Sequence, residues 1–260
     1  MNVNDILVSH ALDLKEKAAT ESYITYTNFL SVDELSVLIK TEKINNQYVN
    51  TFYFGGYFEA ERKIAVFVPR FIDADDENLS TVLTENSYTP VVLLEIQKDR
   101  FSSLSHRDYL GAVMGLGVKR EMLGDIIVND NGCYLFCISS VSDFICENLK
   151  QAGRGQLTVK KVELTDYKTF EPKTETFFAS VASMRLDCLV AAVFKLSRNI
   201  SVANILQGNV YVNSEQITKT DYLLKPGDKL VLRGKGKSVI DEVIGTSKKG
   251  RMHINIKRYI

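Results

Sequence analysis

The run Asn129-Asp130-Asn131-Gly132 lies between two apolar segments, 125–128 and 133–139, and constrains the fold more than any other stretch. Asn and Gly tolerate the backbone that a tight hairpin needs, so the flanking segments are expected to pair as antiparallel strands. Around this hairpin the patterning predicts a strand over 91–96 after Pro90 and a helix opened by Ser105-His106-Arg107-Asp108 that runs towards Gly115. A helix over 141–152 and a strand over 157–164 follow. The order strand, helix, strand, strand, helix, strand is that of the ferredoxin-like fold, expected over residues 85–165.

Ahead of it, Leu7, Ala11, Leu14 and Ala18 share one face of a helix expected over 5–18. Ser31-Val32-Asp33-Glu34 is a capping box before Leu35, Leu38 and Ile39. Strands over 48–54 and 63–68 are joined through Gly55-Gly56, and Pro69 with the acidic run 73–77 reads as the end of this unit and a linker. The expectation is therefore an α+β protein with a small N-terminal α/β domain over 1–77, followed by the ferredoxin-like (RRM-like) domain. Tyr134 and Phe136 alternate on one strand, but the strand over 91–96 has no aromatic residue. The aromatic signature of RNA-recognition sheets is incomplete, and both residues read as core or domain-interface residues.

Four cysteines, Cys133, Cys137, Cys146 and Cys188, lack a CxxC spacing or a nearby histidine, so no metal and no cofactor are expected. Cys133 and Cys137 fall on one sheet face and read as buried thiols. The formal charge is zero, yet residues 180–260 carry 14 Lys+Arg against 6 Asp+Glu, a net +8 balanced by −8 elsewhere. This asymmetry fits a C-terminal part that meets a polyanion. No apolar run of about 18 residues occurs and the N-terminal stretch is mixed and charged, which leads to the expectation of a cytoplasmic protein with no membrane partner.

The basic part has its own pattern. Leu186, Leu189, Val190, Val193 and Leu196 recur at helical spacing over 183–196, with Arg185, Asp187 and Lys195 placed outside the apolar face. Ser197-Arg198 opens a second helix that ends at Gly208; Val210-Tyr211-Val212 is a strand, Asn213-Ser214-Glu215 a turn, and Lys225-Pro226-Gly227-Asp228 turns into a strand over 229–233. The start of the second helix offers amides and a dipole to a phosphate, with Arg198 adding a full charge and Arg185 a second clamp. Lys195, Lys235 and Lys237 widen the field without reading sequence.

Arg185-Leu186-Asp187, Ser197-Arg198, Gly208, Val210-Tyr211-Val212-Asn213 and Pro226-Gly227-Asp228 together resemble the S4 RNA-binding domain, expected over 181–260 with a C-terminal extension. Val202 and Ala203 stand where S4 members often carry basic residues, and Ser214 stands for the common glycine. The runs from Phe54 to Arg62, His106 to Ala112, Gly115-Leu116-Gly117 and Gly124-Asp125-Ile126 extend the likeness to the YlmH family of bacterial S4-domain proteins over nearly the whole chain. The resemblance implies a non-enzymatic protein that binds structured ribosomal or transfer RNA on the large ribosomal subunit and steadies peptidyl-tRNA during rescue of stalled translation. DNA and small-molecule substrates are not expected. The residues expected at RNA are Arg185, Lys195, Ser197, Arg198, Asn213, Arg233, Lys235 and Lys237.

Other classes fit less well. A kinase loop at His106-Arg107-Asp108 needs a metal-binding asparagine where Val113 stands, and a methyltransferase needs a glycine fingerprint after a strand, whereas Gly115-Leu116-Gly117 follows a helix. A pseudouridine synthase using Asp187 needs a separate catalytic domain, so Asp187 is expected instead to accept hydrogen bonds from nearby backbone or to pair with a basic residue. A cell-division-linked protein adaptor with an RNA-binding tail is the alternative outside enzymes.

Overall fold

The computed structural model describes residues 3–41, 48–57, 59–85, 88–166, 174–247 and 250–259, and the chain divides into two compact units, Met1–Lys168 and Thr169–Ile260. Helices and antiparallel sheets make up both, so the class is α+β. Residues 167–173, part of the polar stretch around Thr165–Thr176 with Pro172 whose sequence reads as a linker, and Phe58 of the quoted motif lie outside the described residues.

The first unit is layered helix, sheet, sheet, helix. Helices α1 (Val3–Glu21) and α2 (Val32–Thr41) cover one face of a small sheet of β1 (Thr25–Tyr26), β2 (Val49–Phe54) and β3 (Ile64–Pro69), in the order β1-β3-β2. The capping box of α2 forms as expected, with Ser31 N donating to Glu34 Oε2 at 2.7 Å and Glu34 N to Ser31 Oγ at 3.3 Å. Strand β3 is buried on both faces, Ala65 and Phe67 towards α1 and α2, Ile64, Val66 and Val68 towards the second sheet. The acidic run does not lead into an open linker; Asp75 Oδ1 accepts from Glu77 N and Asn78 N, and a short helix α3 (Leu79–Glu85) then buries Leu79, Val82 and Leu83.

The second sheet contains β4 (Val91–Lys98), β5 (Leu123–Asn129), β6 (Gly132–Ile138), β7 (Gln151–Ala152) and β8 (Gly155–Val162) in the order β5-β6-β4-β8-β7. With α4 (His106–Gly115) and α5 (Ser139–Asn148), its main strands have the ferredoxin-like arrangement, and Asn129 pairs with Gly132 across the expected hairpin turn. Helix α5 stops short of residue 152 because Gly153, at φ +53, turns β7 back onto β8. One face, carrying Leu94, Ile96, Cys133, Leu135 and Cys137, packs on Tyr109, Val113, Ile145 and Leu149 of the helical side. Burial pushes the Cys137 thiol up to about 12 and raises that of Cys133 as well, so both are inert packing groups. The other face, with Leu93, Phe136 and Ile138, packs on β3.

A buried acid ties the two sheets together. Asp125 on β5 accepts from Tyr57 Oη at 2.8 Å, Glu61 N at 2.7 Å and Arg62 N at 3.2 Å, which docks the β2–β3 connection on the second sheet. Burial raises its carboxyl in spite of these donors. Arg62 reaches the same junction, donating to the carbonyls of Leu123 and Phe29, and burial lowers its guanidinium to about 10. Gly56, at φ +94, brings the turn so close that an added Cβ would lie 2.5 Å from a Phe136 ring carbon.

In the second unit, α6 (Leu186–Val193) and α7 (Arg198–Leu206) pack on one face of an antiparallel sheet. Its strands are β9 (Thr174–Val181), β10 (Val210–Val212), β11 (Glu215–Gln216), β12 (Lys229–Leu232), β13 (Gly236–Thr246) and β14 (Met252–Tyr259), ordered β11-β10-β12-β13-β14-β9. Strand β9 starts ahead of residue 181, the expected start of the last domain, because all eight of its residues pair with β14. Arg258 of β14 donates to the Val193 carbonyl at the end of α6, where a cation also suits the helix dipole. In the β10–β11 turn Asn213 and Ser214 both have positive φ, +50 and +70, which is why glycine is the common residue at the second position.

Gly56→Ala should destabilise the first unit by about 2 kcal/mol or more, through the ring clash and the positive φ together. Ser214→Gly should stabilise the second by about 1 kcal/mol by relieving left-handed strain. Urea unfolding of each variant against the parent chain checks both.

Candidate nucleic-acid interface

The starts of α6 and α7 are held together by one carboxylate. Arg185 is the extended residue before α6, and the first helical amides, Leu186 N and Asp187 N, donate to the carbonyls of Tyr222 at 2.8 Å and Thr220 at 3.1 Å. Ser197 caps α7 by accepting from Ile200 N at 3.3 Å. Asp187 accepts from Arg185 Nε at 3.0 Å and Nη2 at 3.2 Å, from Arg198 Nη2 at 2.9 Å and Nε at 3.3 Å, and from Cys188 N at 3.0 Å. Ser201 Oγ on α7 completes the junction by donating to the Asp187 carbonyl at 2.8 Å. The sequence placed Asp187 outside the apolar face; it is buried, because two guanidiniums saturate it.

Exposure separates the partners. The side chain of Asp187 is 2% exposed, whereas those of Arg185 and Arg198 are 38% and 67% exposed. Burial alone would raise the Asp187 carboxyl, but its bonds to Arg185 and Arg198 hold it at about 2. The cluster therefore presents two oriented guanidinium planes around a carboxylate that solutes cannot reach, with a net charge of +1.

The remaining residues expected at RNA fall into other places. Lys195, exposed and at φ +53, lies in the turn between α6 and α7, beside Ser197 and Arg198 in the chain. Arg233 N donates to Asn209 O at 2.9 Å, which puts the β12–β13 turn at the far end of α7, about 13 Å along the helix from Arg198. There Arg233 lies over the Tyr211 ring at 5.7 Å and donates to its hydroxyl at 2.7 Å, and Lys235 is exposed. Lys237 stands 4.3 Å from the ring of Tyr259. Asn213 belongs to neither group: its Nδ2 donates to Asp228 Oδ1 at 2.8 Å and its Oδ1 accepts from Lys229 N at 2.9 Å. Asp228, 4% exposed, also accepts from Lys225 N at 2.8 Å, so Asn213 and the Pro-Gly-Asp turn form one lock.

In the first unit the sheet face that RNA-recognition domains leave open is covered. Phe136 is fully buried and stacks on Tyr57 with ring centres 4.9 Å apart, while Tyr134 packs at the edge of the same cluster. Asp108 accepts from Ser105 N at 2.8 Å and Ser105 Oγ at 2.7 Å, a helix cap that lowers its carboxyl. Among the described residues no single helix is long and apolar enough to cross a membrane.

Known proteins show the same two parts. Residues 84–166 match the family described as a putative RNA-binding domain in YlmH, and residues 184–230 match the S4 domain. Ribosome-associated protein quality control protein P2 of Bacillus subtilis (strain 168) is 28% identical over 251 residues, 96% of this chain and 93% of the relative. The chain thus contains a region like the RNA-binding domain of YlmH and an S4 domain, and is similar over nearly its whole length to that relative. A solved structure, the cell division protein ylmH from Streptococcus pneumoniae, aligns at 15% identity with a TM-score of 0.48, covering 64% of this chain and 96% of that one. The S4 match contains Arg185, Asp187 and Arg198, and it ends before β13 and β14.

Asp187 has an ordinary value of 3.8 lowered to about 2, so ionisation stabilises the fold by about 2 kcal/mol at neutral pH. Because the folded value is the lower one, that contribution is complete above about pH 4 and is lost as the pH falls through about 2. Asp187→Asn should cost about 3 kcal/mol at neutral pH and flatten the acid limb of stability in this window. Unfolding free energies measured across the acid range check both effects.

Proposed function

We propose that the protein binds structured ribosomal or transfer RNA through the Arg185–Arg198 face, on the large ribosomal subunit, and steadies peptidyl-tRNA there during rescue of stalled translation. The observation that carries this reading is the pair of solvent-facing guanidiniums fixed on one buried carboxylate beside the start of α7. A phosphate arriving there meets donors that are already oriented, so little side-chain freedom is lost on binding. The second unit as a whole carries 15 Lys+Arg against 8 Asp+Glu, a net +7, which favours a polyanion. The name of the Bacillus subtilis relative, a ribosome-associated protein quality control protein, supports the choice of RNA and setting. Lys195 extends the same face, while Arg233 and Lys235 supply a second phosphate contact at the far end of α7. The role is binding: with five hydrogen bonds on its carboxylate, Asp187 orients the arginines and performs no chemistry.

The test is binding of the full chain to purified large subunits and to a ribosomal RNA hairpin over a range of salt. Arg185→Ala and Arg198→Ala should each lower the slope of log affinity against log salt by about 1, and the double variant should no longer co-sediment with large subunits. Unchanged co-sedimentation of a folded double variant would remove the arginine pair from the interface.

A further inference from the structure

The sheet of the second unit has two faces, and only one is occupied by α6 and α7. Ala179, Val181, Ile240, Ile254 and Ile256 point into the shared core. The alternate residues of the same strands point away from it, and their chemistry is unusual for a solvated sheet. Phe178 on β9 is 53% exposed and stacks on His253 of β14, with ring centres 5.0 Å apart and planes at 29°. Further along β14, Tyr259 lies opposite Thr174 and carries Lys237 of β13 at 4.3 Å from its ring centre. Lys257 stands between the two stations, and Arg251 anchors at the other end of β14 by donating to Ser180 Oγ at 3.1 Å and to the Ser180 carbonyl at 2.6 Å.

We infer that this outer face of β9, β14 and β13 is a stacking platform for unpaired RNA bases, a second RNA surface in addition to the arginine pair. Rings in the same sheet face give two places where a base can stack, because every base has a π face that an aromatic side chain can meet. Phe178 lies in the row of Asn255, so the register puts it four β14 residues from Tyr259, about 14 Å. Lys237, Lys257 and Arg251 supply cations along the path between and beyond the rings. Two carboxylates face them, Asp241, paired with Lys257 at 2.8 Å, and Glu242, which accepts from Asn255 Nδ2 at 3.0 Å. Both carboxylates lie on β13, so the approach for a polyanion is along β14 and β9. The net +7 of the unit favours a nucleic acid over an acidic-patch-seeking protein as the occupant. Unpaired strands suit this face because its aromatic groups offer stacking, which paired bases already satisfy among themselves.

Fluorescence anisotropy of the full chain with a labelled short oligouridylate and with a labelled RNA hairpin tests the platform. Phe178→Ala with His253→Ala should weaken oligouridylate binding about tenfold and leave hairpin binding within about twofold. Arg185→Ala with Arg198→Ala should do the reverse. Phe178→Leu keeps an apolar side chain in the strand while removing the ring, and should reproduce most of the loss if the double variant folds poorly. Unchanged oligouridylate affinity in folded ring variants overturns the platform, as does an equal loss for both RNAs. Unchanged hairpin binding in the arginine variants overturns the arginine interface instead, so the two failures are distinguishable.

Discussion

A carboxylate taken out of water has to be saturated with donors, and this one requirement organises both units. Asp187 collects two guanidiniums and an amide and so fixes the starts of α6 and α7 against each other. Asp228 collects Asn213 and the Lys225 amide, which closes the hairpin end of the same unit. In the first unit Asp125 collects Tyr57 and two amides of the β2–β3 connection. Each acid joins segments that apolar packing alone would leave free to slide, because hydrophobic burial is non-directional while donor geometry is not.

The elements with local signals were legible in the sequence. The capping boxes at Ser31 and Ser105, the Asn129–Gly132 turn and the period of α6 each follow from residues a few positions apart. What could not be read locally is what depends on distant partners. Strand β9 begins with the polar run Thr174-Glu175-Thr176, which looks like linker until β14 pairs with it. Helix α3 follows an acidic run that resembles solvated chain, yet Leu79 and Leu83 close the core between the sheets. Asp187 read as a residue outside the apolar face that meets backbone donors or a basic partner, and it does both; its burial was not legible, because only the Arg185 and Arg198 geometry makes burial tolerable. At the candidate site Arg185 and Arg198 were already legible as two phosphate clamps; what was not legible is that one buried carboxylate holds them both and that Asn213 is spent on Asp228.

The ferredoxin-like sheet shares its fold with many RNA-recognition domains but not their open face. Its order and handed hairpin are those of many RNA-recognition domains, but β3 and the Gly56 turn occupy the face on which those domains stack bases. The aromatic pair Tyr57 and Phe136 is interior packing between two sheets. In the second unit the exposed ring, Phe178, sits on strands outside the S4 match.

The position of β14 has a consequence for how the chain is made. Among the described residues strand β9 has β14 as its sole neighbour in the sheet, and β14 in turn lies between β9 and β13. Residues 174–181 thus emerge from the ribosome with no partner until residues 252–259 follow, and the Val193 end of α6 waits for Arg258 over the same interval. The core clusters of the first unit draw, among the described residues, on positions no later than Leu164, whereas the second pairs its first strand with its last and closes in a late step. An exposed β9 edge during that interval is a surface for mispairing, and its Thr174-Glu175-Thr176 start supplies the polarity that keeps such an edge soluble.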